Sequence, residues 1–357
     1  MNMKKMAVAA IGGILLTTMA AISADAHAAG MCPADLSALP QSISVQARDA
    51  FEKFSTHPAT PVSYSDAEIA KLAPDVKYWD QRNVALAAML KKMGFAPGRS
   101  DGVTLAADQI GSVPVLRITP RNARQDGKIL IYVHGGAYTF FSARSATGLP
   151  ALLSRADGRA VISVDYTLAP RAHAMQTTGQ IEQVYRALLA AGHKASDIAL
   201  FGDSAGGGLV AASVVRMHDD KLPMPAALVL FSPWADLTAT GDSQITLRCS
   251  DPILNEPDLK LSAAAYAGRD DLRNPYYSPI YAKYDPSFPP TLIQVGTREI
   301  LLSDSVRLYQ AMQHGGAHAV LDVYEGMIHV FPPILAGTPE SDTALGRASA
   351  FIDQALK

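Results

Sequence analysis

The residues best placed to do chemistry are Gly202-Asp203-Ser204-Ala205-Gly206. A serine between glycines suits a nucleophile, because a sharp strand-to-helix turn leaves no room for side chains beside it. The flanks fit such a turn. Residues 198–201 form an apolar β-type run directly before it, and residues 209–217 have helical spacing directly after it. A serine at this junction sits at a helix N-terminus, where backbone N–H groups face a developing anion. Taken alone, the pentapeptide also suits a glycine turn without chemistry.

Acyl transfer further requires oxyanion donors, a base and an acid. His134-Gly135-Gly136-Ala137-Tyr138 follows the apolar run 129–133, and its glycines allow close backbone approach to a substrate. The oxyanion donors are assigned to the N–H groups of Gly135, Gly136 and Ala205. His134 precedes the serine, whereas folds built on this turn run serine, acid, histidine. It is therefore read as supporting the glycine loop through side-chain hydrogen bonds. The base is assigned to His329, the last histidine, in a loop 325–331 after the run 319–324. His314 and His318 flank Gly315-Gly316 and read as a solvated helix end. The acid is assigned to Glu299, three residues past Gly296 at the exit of the run 291–295. Asp304 is its rival, read as an N-terminal helix charge. Either carboxylate can orient an imidazole.

Positioning these residues takes a sheet. From about residue 103, nearly continuous apolar runs alternate with helical patterns, as in strands buried on both faces of a parallel sheet. Such sheets carry their chemistry at the carboxyl ends of the strands. Residues 101–357 are thus read as the catalytic domain. Two proline-broken helical stretches depart from the alternation: an N-terminal arm over 29–100 and an insertion over about 235–288. Both are expected to form a cap over the carboxyl edge. Trp79, Val84, Leu86, Met89 and Leu90 give the arm an apolar surface for docking.

The chain has 357 residues, 48% hydrophobic and 18% charged, with a net charge of -2. That supplies one large core and excludes electrostatic binding to nucleic acid. Lys4 and Lys5 precede an apolar run 6–22, and Ala26-His27-Ala28 offers small residues for a signal peptidase. Residues 1–28 therefore read as a signal peptide cleaved after Ala28, with export to the periplasm or beyond and no membrane anchor left afterwards; an uncleaved anchor is the competing reading. Cys32 and Cys249 then remain, as one disulfide or as two separate buried thiols. There is no His-Glu-x-x-His and no cysteine pair at ligand spacing, so no metal is expected.

Together these residues resemble the α/β-hydrolase fold and, within it, the hormone-sensitive-lipase-like bacterial esterases. The resemblance covers about 100–357. Its marks are His134-Gly135-Gly136, Asp165-Tyr166 with Leu168-Ala169-Pro170, Gly202 to Gly207, Ser232-Pro233-Trp234 with Asp236-Leu237, and His329 with Phe331. It implies small-molecule ester substrates, no cofactor, a helical cap from the N-terminus and a frequent homodimer. Three positions depart from it: Ala137 replaces a third loop glycine, Thr167 and Arg171 stand where Arg and Glu are usual, and the acid is Glu299 rather than Asp. The Gly-x-x-Glu-x-Leu-Leu pattern resembles a subgroup that includes ε-lactone hydrolases. The expected activity is hydrolysis of carboxylic esters of short to medium acyl chain through an acyl-enzyme on Ser204. A lactonase, a deacetylase or an amidase would use the same residues, while a non-catalytic binding protein would need a broken triad. Tyr138, Phe140, Phe141, Trp234 and Met327 are read either as pocket wall or as core.

Overall fold

The apolar runs become one eight-stranded sheet: β1 (Val103–Ile110), β2 (Val113–Pro120), β3 (Ile129–Val133), β4 (Val161–Val164), β5 (Ile198–Asp203), β6 (Ala227–Phe231), β7 (Thr291–Arg298) and β8 (Ala319–Ile328). The structure is a computed structural model and describes residues 39–52, 62–92 and 102–357. The signal-peptide reading and Cys32 lie outside the described residues; Cys249 is disulfide-bonded.

The strand order is β1-β2-β4-β3-β5-β6-β7-β8, with β2 antiparallel to both of its neighbours, β1 and β4, and the remaining pairs parallel. Successive side chains of a strand point to opposite faces. In β3, accordingly, Ile131 and Val133 enter one apolar cluster, and Leu130 and Tyr132 enter the other. Helices Ala174–Ala190 and Ala205–Asp219 cover the first face through Ile181, Val184, Leu209 and Val214. Helices Gly148–Asp157 and Pro339–Ala355 cover the second through Leu149, Leu153, Leu345 and Ile352. Burial on both faces explains why β3, β5 and β6 read as unbroken apolar runs.

The arm adds helices Val45–Glu52, Asp66–Leu72 and Val76–Lys92. Ser65 and Glu68 close a reciprocal capping box at the second. The third helix docks through Trp79, whose ring meets Phe140 edge-on at 5.6 Å, and through Leu86. Arg82 pairs with Asp258 at 3.3 Å, tying the arm to the helix Glu256–Ala267 of the insertion. Val84 does not dock: it is 70% exposed. Trp79, Arg82, Asn83 and Leu86 follow the spacing of one helical face, and Val84 falls outside that stripe. The unusual Arg171 pairs with Asp80 of the arm at 2.6 Å, while Thr167 N donates to Gln180 Oε1 at 2.9 Å. Among the described residues no helix is long and apolar enough to cross a membrane.

Candidate active site

Ser204 stands between β5 and the helix Ala205–Asp219, with φ 53° and ψ -127°. That backbone is unfavourable for a residue with a Cβ and has to be held from outside. Ser204 N donates to Phe231 O at 2.8 Å, and Ser204 O accepts from Trp234 N at 2.9 Å. A Cβ on Gly206 would lie 2.2 Å from Val133 O, so the turn closes only around a glycine there.

His329 lies immediately after β8. That strand continues to Ile328, so residues 325–328, expected as loop, are strand instead. Its register shifts opposite Gly296 and Arg298, a bulge that lets the ladder extend to His329. Glu299 is the first residue beyond β7. His329 Nδ1 is 2.7 Å from Glu299 Oε2, and His329 Nε2 is 2.9 Å from Ser204 Oγ. With Nδ1–H donated to the carboxylate, Nε2 is left as the acceptor for the serine hydroxyl. Glu299 Oε1 accepts from Gly296 N at 2.7 Å and from Ser232 Oγ at 2.8 Å. Ser232 Oγ also accepts from Val330 N at 3.1 Å, linking Glu299 to the turn that carries His329.

Asp304 does not reach His329. Its Oδ2 accepts from Ala235 N at 2.9 Å and Asp236 N at 2.8 Å, and the residue is fully buried rather than a surface charge at a helix end. Burial pushes its carboxyl well above the usual range. His314 and His318 are exposed.

Sequence reasoning missed Asp251, a buried carboxylate in the insertion. Its Oδ1 accepts from Ile253 N at 2.8 Å and Leu254 N at 2.9 Å, and its Oδ2 from Ile300 N at 2.8 Å, the residue next to Glu299. Burial pushes Asp251 up to about 6, against the pull of His329 and of these N–H donors. No spacing in the sequence marks it, since residues 251 and 300 meet only in three dimensions. Burial pulls the His329 imidazole down, but the hydrogen bond and charge of Glu299 outweigh it, with Asp251 and Asp203 adding to them. The net result is an imidazole raised above the ordinary histidine value.

The glycine loop lies directly against the serine: a Cβ on Gly135 would be 3.0 Å from Ser204 Cβ. His134 Nδ1 donates to Gly135 O at 2.7 Å, and its ring stacks on Tyr166 at 4.3 Å. Burial lowers it to about 4, so it stays neutral. Gly135 N donates to Asp203 Oδ1 at 3.2 Å, so the N–H expected to face an oxyanion is engaged by a carboxylate. Among the described residues no acceptor engages the N–H groups of Gly136, Ala137 or Ala205. Tyr138, Phe140, Trp234 and Met327 are buried in core; Tyr138 stacks between Tyr266 at 3.7 Å and Trp234 at 5.4 Å. Among the described residues no His, Cys, Asp and Glu group could hold a metal ion.

A helix-covered parallel sheet, a serine at a strained strand-to-helix turn, and an imidazole and carboxylate in hydrogen-bond reach define a class of nucleophilic hydrolases. Residues 130–333 match the family described as alpha/beta hydrolase fold, and the chain belongs to that family. An acetyl-hydrolase of Streptomyces hygroscopicus is 37% identical over 235 residues, 65% of this chain and 77% of the relative. An esterase of Acinetobacter venetianus is 34% identical over 226 residues, 63% and 74% of the two chains. Among solved structures, an esterase from the bacterial hormone-sensitive lipase family superposes with a TM-score of 0.73 at 32% identity, covering 83% of this chain and 100% of its own. A mutant of the esterase E40 gives a TM-score of 0.73 at 34% identity, with 77% and 92% covered.

Proposed function

We propose that this carboxylic ester hydrolase works through an acyl-enzyme on Ser204. The observation that carries this is the unbroken hydrogen-bond chain from Ser204 Oγ through His329 to Glu299. Glu299 holds the imidazole in the tautomer that takes the serine proton, and Ser204 attacks the ester carbonyl. The oxyanion is received by the N–H groups of Gly136 and Ala205. Ala137 takes the place first assigned to Gly135, whose N–H is committed to Asp203. His329 then protonates the leaving alcohol, and water repeats the sequence on the acyl-enzyme. Each lost oxyanion donor costs roughly 10²–10³ in rate.

Short acyl chains suit this reading, and the Streptomyces relative named an acetyl-hydrolase supports it. The arm and the insertion, joined through Arg82 and Asp258, form the cap. Export rests on the N-terminal sequence, and Edman sequencing of protein from the extracytoplasmic fraction is expected to begin just after Ala28. The activity is tested with p-nitrophenyl esters from acetate to octanoate, alongside lactones and acetylated sugars. The wild type is expected to turn over the shortest aryl esters fastest, and Ser204→Ala to lose turnover. Unchanged turnover in Ser204→Ala ends the proposal.

A further inference from the structure

The loop beside Ser204 holds three non-glycine residues in the left-handed region: Ala137 at φ 51°, Tyr138 at 63° and Phe141 at 72°. Such backbone persists only where its surroundings over-determine it. Part of the hold is internal, since Thr139 N and Phe140 N both donate to Gly136 O, at 3.0 and 2.8 Å. Another part comes from the N-terminal arm. Asn83, on the helix Val76–Lys92, donates from Nδ2 to Thr139 O at 2.8 Å and accepts Phe141 N at Oδ1 at 3.3 Å. A third bond, Nδ2 to Trp79 O at 3.0 Å, fixes which way the carboxamide faces. Phe140, between the two contacts, is held by the edge-on Trp79 ring and lies 5.4 Å from the Arg82 guanidinium.

We propose that Asn83 is a positioning residue, whose carboxamide grips the backbone of residues 139–141 and so keeps the Gly136 and Ala137 N–H groups directed at the oxyanion. This rests on the acyl-enzyme reading above. It gives the arm a part in the chemical step as well as in shaping the entrance. An amide suits the task because it offers a donor and an acceptor on one rigid plane, matching the C=O and N–H of residues two apart. Asp cannot replace it, since a carboxylate oxygen would face the Thr139 and Trp79 carbonyls. A residue that merely docks the arm would alter stability or substrate access and would leave transition-state binding untouched.

The test compares Asn83→Ala and the isosteric Asn83→Asp with wild type in the full chain. Turnover of p-nitrophenyl butyrate is measured together with inhibition by an aryl trifluoromethyl ketone, whose serine adduct carries the oxyanion. Both variants are expected to lose about 10–100-fold in kcat with KM within about twofold, less than the roughly 10²–10³ of deleting a donor outright. Ketone affinity is expected to fall by the same factor as kcat. Val84→Ala, on the exposed side of the same helix, is expected to behave as wild type. Wild-type kcat and ketone affinity in Asn83→Asp, or a change confined to KM, overturns the proposal while an inactive Ser204→Ala leaves the acyl-enzyme reading standing. Full turnover in Ser204→Ala overturns both.

Discussion

On the proposed mechanism His329 must be neutral to accept the Ser204 proton, and its neighbours decide at which pH that holds. Burial disfavours the imidazolium, yet Glu299, Asp251 and Asp203 face it and together raise its value. The acid limb of kcat/KM is therefore expected above the ordinary histidine range of about 6.5. Removing a negative neighbour favours the neutral ring, so the limb should move to lower pH. Glu299→Gln is expected to show that shift together with a rate loss of about 10⁴-fold, because the tautomer is no longer held. Asp251→Asn should shift the limb in the same direction by less, with a smaller loss in rate; an unmoved limb would exclude Asp251 from the electrostatics of the base. Asp304→Ala belongs to a different category. It strands the N–H groups of Ala235 and Asp236, at about 1–3 kcal/mol each, and should appear in urea melts more than in kcat of the folded protein. Ser204, Glu299 and His329 were legible because glycine spacing and chain order restrict them. Asp251 and Ser232 were not, since their roles arise from contacts between segments far apart in sequence.

The elements divide in a similar way. β3, β5 and β6 were legible as apolar runs because both of their faces are buried. β1 has an exposed middle and β2 is interrupted by exposed Pro114 and Arg117, so neither offers an unbroken apolar run. The extent of β8 was missed because Glu325 and Gly326 resemble a loop, whereas the register shift against β7 carries the ladder past them. Helical periodicity selected the docking face of Val76–Lys92 only loosely, hence the misplaced Val84. At the Ser204 turn the elements approach so closely that size alone decides. Gly206→Ala would set a methyl group 2.2 Å from Val133 O and 2.4 Å from His134 O, both backbone atoms that cannot swing aside. This variant is expected to lose most of its activity and to melt at a lower temperature than wild type, as measured by esterase assay and circular dichroism.

At the scale of the whole molecule, the arm and the insertion meet through a buried cluster. Arg82 and Asp258 pair there, and Tyr64 OH donates to the same Asp258 Oδ1 at 3.1 Å. Removing one partner of a buried pair leaves the other uncompensated, typically at about 3–5 kcal/mol. Asp258→Ala should therefore loosen the arm, lower the melting temperature and expose the helix Val76–Lys92 to hydrogen exchange before the sheet. None of this pairing could be read from the sequence, because residues 82 and 258 lie on helices far apart in the chain whose meeting is a property of the fold. The central claim is that Ser204 is the nucleophile of this ester hydrolase. Treatment with a fluorophosphonate, followed by intact-mass and peptide mapping, tests it most directly. A single adduct on Ser204, absent in Ser204→Ala and formed in step with loss of turnover, is the expected result. An adduct on another residue, or full ester turnover by a protein fully modified at Ser204, would contradict it.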